Sequence, residues 1–122
     1  AVRLWNTQGK PLAPPFQGHN APVWSVAIST DGKTIVSGGT DGTVRLWNTQ
    51  GKPLAPPFQG HNAPVWSVAI STDGKTIVSG GTDGTVRLWN TQGKPLAPPF
   101  QGHNAPVWSV AISTDGKTIV SG

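Results

Sequence analysis

The residue types that could do chemistry return at fixed spacing. His19, Ser37 and Asp41 are followed one period of 42 residues later by His61, Ser79 and Asp83, and His103 and Ser121 begin a third set without an Asp. Ser, His and Asp make up a hydrolase triad, in which His takes the Ser proton while Asp orients the imidazole. Three His residues could also ligate a metal, but ligands converge on one ion, and His19, His61 and His103 stand a full period apart. Trp24, Trp66 and Trp108 each follow a Pro-containing loop, and exposed aromatic side chains anchor interfaces. The competing reading is that each Trp packs against the neighbouring unit. Lys10, Lys33 and their equivalents fall in turns. A set of lysines there attracts anions, or simply keeps the surface solvated. With no Cys in the chain, thiol and disulfide chemistry are excluded.

Those side chains are positioned by a repeat. The segment VRLWNTQGKPLAPPFQGHNAPVWSVAISTDGKTIVSG begins at Val2, Val44 and Val86. Self-similarity at such a period marks solenoids, propellers and arrays. Every comparable position agrees, except that Ala1 stands where Thr43 and Thr85 stand. Natural repeats drift, so this identity points to a designed gene or, second, to a recent amplification. Within the repeat, Val23–Ser29 is rich in β-formers, and Asp31-Gly32 after it is a hairpin signal. Thr34–Ser37 and Thr43–Trp47 read as the next strands, separated by a Gly-rich turn. Lys52–Phe58 is the fourth and poorest. Its three prolines remove ladder donors, which confines it to a sheet edge. No stretch holds a 3.6-residue period, and the absence of Glu and Met removes two strong helix formers. The fold class is therefore all-β. A Ser inside such a strand lacks the sharp exposed elbow and oxyanion donors of a nucleophile, so no catalytic residue is expected.

Gly18-His19, Asp31-Gly32, Ser37-Gly38, Asp41-Gly42 and Trp47-Asn48 together resemble the marks of a WD40 repeat. The resemblance covers nearly the whole chain. Its one departure is Trp-Asn where the family usually has Trp-Asp. It implies a β-propeller, with four-stranded antiparallel blades arranged radially around a channel and strands a to d running from inside to outside. It also implies a hydrogen-bonded set in each blade: Trp47 to Ser37 to His19 to Asp41, and likewise Trp89, Ser79, His61 and Asp83. In these terms residues 1–17 are strands c and d of a split blade, 18–59 and 60–101 are whole blades, and 102–122 are strands a and b of another split blade. The split set would hold His103 and Ser121 from one chain and Trp5 from another, without an Asp. The expectation is that strands a and b of one chain pair with strands c and d of the next. Such a head-to-tail contact closes into a ring if the rotation permits. Three repeats per chain then make nine blades as a trimer, with six as a dimer the alternative. Bulky Trp24 on the inner strand, against small Ala and Pro outside, favours nine.

The charges set few further limits. Nine Lys and Arg against five Asp give a net charge of +4, but the basic residues fall singly, so a nucleic-acid surface is not expected. No apolar run approaches a membrane span. The N-terminal residues lack the apolar stretch of a signal peptide, and a cytoplasmic protein is expected. No cofactor and no metal are expected. The leading reading is a non-catalytic, self-assembling scaffold whose partner is itself. The alternative is a peptide- or ligand-binding module from a larger bacterial protein, with Trp24, Trp66 and Trp108 on its top face.

Overall fold

Runs of β-branched and aromatic residues, broken by tight turns, fold into antiparallel sheets in the computed structural model, which describes residues 1–122. Strands β1 (Val23–Ile28), β2 (Ile35–Gly39), β3 (Thr43–Trp47) and β4 (Phe58–Gln59) form one sheet in that order. Strands β5 (Val65–Ile70), β6 (Ile77–Gly81), β7 (Thr85–Trp89) and β8 (Phe100–Gln101) repeat it, and β9 (Val110–Ile112) pairs with β10 (Ile119–Ser121) in a two-stranded sheet. The first hairpin turn is closed by Gly32 N–H donating to Ser29 O at 2.9 Å, with Gly32 at a φ of 73°. That left-handed conformation is open to Gly at little cost. The Asp31 carboxylate accepts from the Ser29 hydroxyl at 2.6 Å and from Lys33 N–H at 3.0 Å. Ahead of the first sheet, Val2 pairs with Phe16 and Trp5 with Pro11. No helix is long and apolar enough to cross a membrane.

The structure corrects the expected fourth strand. Regular pairing survives only at Phe58–Gln59, with one isolated bridge between Trp47 and Pro53. Pro56 and Pro57 have no N–H to give the ladder, so the chain leaves the sheet between those points. The first strand also departs from plain alternation. Val23 lies opposite Gly39 and Ser25 opposite Gly38, which makes Trp24 the extra residue of a β-bulge, and Trp66 is its counterpart in the second sheet. A bulge re-aims the side chain it carries.

The sheets stack face to face, and the core lies between them. Val36, Val44, Leu46 and Phe58 of the first sheet form one buried cluster with Val65, Val68, Ile77 and Trp89 of the second. Val78 and Val86 pack in the same way against Val107 and Val110. On the other side of the first sheet, Val2 and Phe16 pack against Ile35 and Trp47. Glycine sets the closeness of this stacking. A Cβ at Gly38 would sit 2.7 Å from Val65 Cγ1, and one at Gly80 2.6 Å from Val107 Cγ1.

Gly80→Ala should therefore force the second and third sheets apart. Overpacking of this kind costs about 1–3 kcal/mol, read as a lower midpoint in chemical denaturation. An unchanged midpoint would show slack between the sheets.

Candidate functional site

Each whole blade builds one polar chain from four separate segments. His19 comes from the loop before β1, Ser37 from β2, Asp41 from the β2–β3 turn and Trp47 from β3. An indole N–H can only donate, so Trp47 Nε1–H donates to Ser37 Oγ, at 2.9 Å. The Ser37 hydroxyl proton then goes to His19 Nε2 at 2.7 Å, which leaves the imidazole proton on Nδ1, facing Asp41 Oδ2 at 3.0 Å. The second blade repeats the order: Trp89 to Ser79 at 2.9 Å, Ser79 to His61 at 2.8 Å and His61 to Asp83 at 3.0 Å. The Asp carboxylate is held in turn by the hydroxyl of Thr43 or Thr85, at 2.8 Å in each blade. Ser37 and Ser79 have no exposed surface. Their oxygen already takes an indole N–H and their one proton is already given to the imidazole.

Electrostatics keep this chain neutral at its centre. Burial pulls His19 and His61 below the ordinary imidazole value of 6.5, with Arg45 and Arg87 adding repulsion, against the opposing pull of Asp41 and Asp83. Burial by itself would raise Asp41 and Asp83. The backbone N–H and hydroxyl of Thr43 and Thr85, together with the His donors, hold both carboxyls below 3.8 instead.

The remaining candidates are dispersed. In the third set, His103 Nε2 meets Ser121 Oγ at 2.7 Å, while Trp5 lies half-exposed at the other end of the stack. No group of three His, Cys, Asp or Glu gathers where a metal could sit. Trp24, Trp66 and Trp108 come together as a row. Trp24 and Trp66 have ring centroids 4.9 Å apart, and Trp66 meets Trp108 edge to face at 4.2 Å. The three line an open hollow of about 370 Å³. Each Trp thus packs on its neighbour while Trp24 and Trp108 stay exposed. Sequence reasoning missed the bonds between blades. Val68 N–H donates to Ser25 Oγ and Val110 N–H to Ser67 Oγ, each at 3.1 Å. The hydroxyls of Thr30 and Thr72 donate to the carbonyls of Thr72 and Thr114, each at 2.7 Å. The one available signal was a small polar residue between Trp24 and Val26, inside an otherwise apolar strand.

Comparison with known proteins agrees with this geometry. The family model described as WD domain, G-beta repeat matches residues 9–48, 51–90 and 93–122. The small ribosomal subunit protein RACK1y of Oryza sativa subsp. japonica is 44% identical over 43 residues, which is 35% of this chain. The chain spans only 13% of that protein's length, and the ribosomal placement in its name belongs to that protein.

Two outcomes test the polar chain. Trp47→Phe removes the indole donor and leaves buried Ser37 Oγ short of a partner, a loss of about 1–3 kcal/mol that chemical denaturation measures. Acid should also weaken the fold. The unfolded His protonates near 6.5 and the folded His only at lower pH, so stability is full above 6.5 and is lost as pH falls below it. Melting temperatures taken across that range should decline toward acid, with a shallower slope in His61→Gln. Equal slopes would show that His61 takes no part.

Proposed function

The chain belongs to the WD40 repeat family, and on that premise we propose that it is a non-catalytic interaction scaffold that closes its propeller by head-to-tail assembly with copies of itself. What supports the reading is that identical residues in identical sequence are buried or bare according to their neighbours. Val36 is fully buried against the next sheet's Val68, which is 5% exposed, and Val78 against Val110, which is 8% exposed. The corresponding residues at the two flanks, Val120 and Val26, are 64% and 59% exposed. One further step of the repeat would set Val120 of one copy against Val26 of another. Fully burying a Val side chain is worth about 1.5–3 kcal/mol.

Other half-made contacts match in the same way. Gly18 lies under the ring of Trp47 and Gly60 under that of Trp89, whereas Gly102 has nothing near it. Trp5, the residue that would cover Gly102 in a second copy, is 50% exposed, while Trp47 is 1% exposed. Gly38 and Gly80 face valines of the next sheet, and Gly122 faces open space. The internal register sets Ile35 opposite Trp47 and Val36 opposite Leu46. Carried across the seam, it sets Ile119 opposite Trp5 and Val120 opposite Leu4 of a second copy. Near-perfect repetition, the mark of design or of recent amplification, makes every blade-to-blade contact the same, so the two flanks of the chain are complementary to each other and a head-to-tail join repeats the internal contact.

The ring we propose is a trimer of nine blades. Indoles crowd the inner strands, while Ala and Pro occupy the outer segment, and that taper favours a small angle per blade. The second reading is a peptide-binding module, favoured by the row of Trp24, Trp66 and Trp108, of which Trp24 and Trp108 are exposed. Identical blades weaken it, because they offer a partner only a symmetric surface.

Native mass spectrometry at micromolar concentration should give three chains per particle. Two chains would indicate six blades, and a folded single chain would refute the assembly. Val120→Lys puts an ammonium where Val26 of a copy must pack. Assembly should weaken by about 3 kcal/mol or more, roughly a hundredfold in affinity, while the bonds within the two whole blades remain. Full-size particles of the Val120→Lys protein would show that this contact does not hold the seam.

A further inference from the structure

We infer that the outer rim of each whole blade carries a binding site for a small organic carboxylate with an apolar body. The site lies between β3 and the proline-rich segment that follows it, and again beside β7. It is separate from the assembly reading and uses neither end of the chain.

The site comes from a mismatch in chain length. Val44 pairs with Phe58, and Trp47 is bridged to Pro53. Two residues, Arg45 and Leu46, stand between these pairing points on β3, against four, Leu54 to Pro57, on the outer segment. The extra residues cannot stay in the ladder, and Pro56 and Pro57 have no N–H to bring back to it. The segment bows out and leaves a hollow of about 410 Å³, lined by Arg45, Leu46, Leu54, Ala55 and Pro56 among others. The second blade repeats it at about 400 Å³, around Arg87, Leu88 and Leu96. Hollows of this size suit a small ligand. The first whole blade packs against the next sheet on one face and against Val2 and Phe16 on the other, so its hollow does not arise from where the chain stops.

The lining calls for an acceptor. Leu46 O accepts from Leu54 N–H at 3.0 Å. The N–H and C=O of one residue in an antiparallel strand point to the same side, so Leu46 N–H faces the outer segment too. Leu46 is 1% exposed, yet no backbone or side-chain oxygen takes this N–H. A buried N–H without a partner is rare. Arg45 adds positive charge beside it. Its Nε–H donates to Thr43 Oγ1 at 3.2 Å, and its ion pair with Asp41 is long, at 3.9 Å from Nη2, which leaves guanidinium donors for a ligand. No acidic side chain lines either hollow. A carboxylate answers both groups, because its two oxygens accept charge-assisted bonds.

The apolar body follows from the leucines. Leu12, Leu54 and Leu96 are 59%, 50% and 51% exposed, so this residue is bare in every copy whatever stands beside it. Val26 and Val120 are bare only at the flanks. A half-exposed Leu lining a hollow gains burial from an apolar ligand.

The test titrates the isotope-labelled full chain with phenylacetate and follows amide chemical shifts. The Leu46 and Leu88 amides should move and saturate together. Phenylacetamide, which keeps the shape and loses the charge, should bind roughly tenfold more weakly. Arg45→Gln combined with Arg87→Gln should bring phenylacetate down to the level of the amide. The comparison of the two ligands on the unaltered chain decides the matter should that variant fail to fold. Leu46 and Leu88 amides that stay still, shifts confined to Trp24, Trp66 and Trp108, equal binding of the two ligands, or undiminished binding by the folded variant would each overturn the site.

Discussion

A blade of this protein can hide an apolar face only by lying against another blade. The faces in question carry Val36, Val44 and Leu46 on one side of an interface and Val65 and Val68 on the other. An isolated sheet of this size would leave such faces in water, where each apolar side chain forgoes its burial energy. Stacking removes that problem from every internal interface and passes it to the two flanks. Glycines at 38 and 80 let neighbouring strands approach closely enough to seal the contact. The stacking bonds of Ser25, Ser67, Thr30 and Thr72 then fix the height of each blade against the next.

The polar chain inside each blade serves the same stacking. Trp47 lies over Gly18 and belongs to the cluster that meets Val2 and Phe16. Its N–H would be a costly orphan there without Ser37. Ser37 in turn needs His19, and His19 needs Asp41, which sits at the turn where water is within reach. Three residue types of apparent catalytic character, Ser, His and Asp, thus lead the buried Trp donor out to the surface. Ser37 and Ser79, in the middle of this relay, have no exposed surface.

Much of this was legible in the sequence. The repeat, its Asp-Gly turns and the β-branched runs around Thr43–Trp47 announced an all-β fold, because those signals are local. The outer strand was not legible. Lys52–Phe58 has strand-like neighbours, yet Pro56 and Pro57 leave it too few donors, and only Phe58–Gln59 pair regularly. The bulge at Trp24 and Trp66 was hidden for another reason. It depends on how β1 and β2 slip against each other, and no residue type marks that slip. The packing of each Trp on its neighbour was one of the two readings that the sequence left open, and the ring contacts of Trp24, Trp66 and Trp108 agree with it. The unequal fates of Val26 and Val68 follow from the split blade that the repeat pattern announced, since the same residue in the same sequence differs only in what stands beside it.

The most direct measurement of the central claim is amide hydrogen exchange followed as a function of chain concentration. Ile119–Ser121 and Val2–Trp5 are compared with their sequence-identical counterparts, Ile77–Ser79 and Val44–Trp47. If a blade is stable only against another blade, the flank amides gain protection as concentration rises, while the internal amides stay protected throughout. The flanks should still exchange faster than the interior, because strands on separate chains pay an association entropy that a covalent turn spares. Flank amides that exchange at one rate at every concentration, whether fast or slow, would contradict the account.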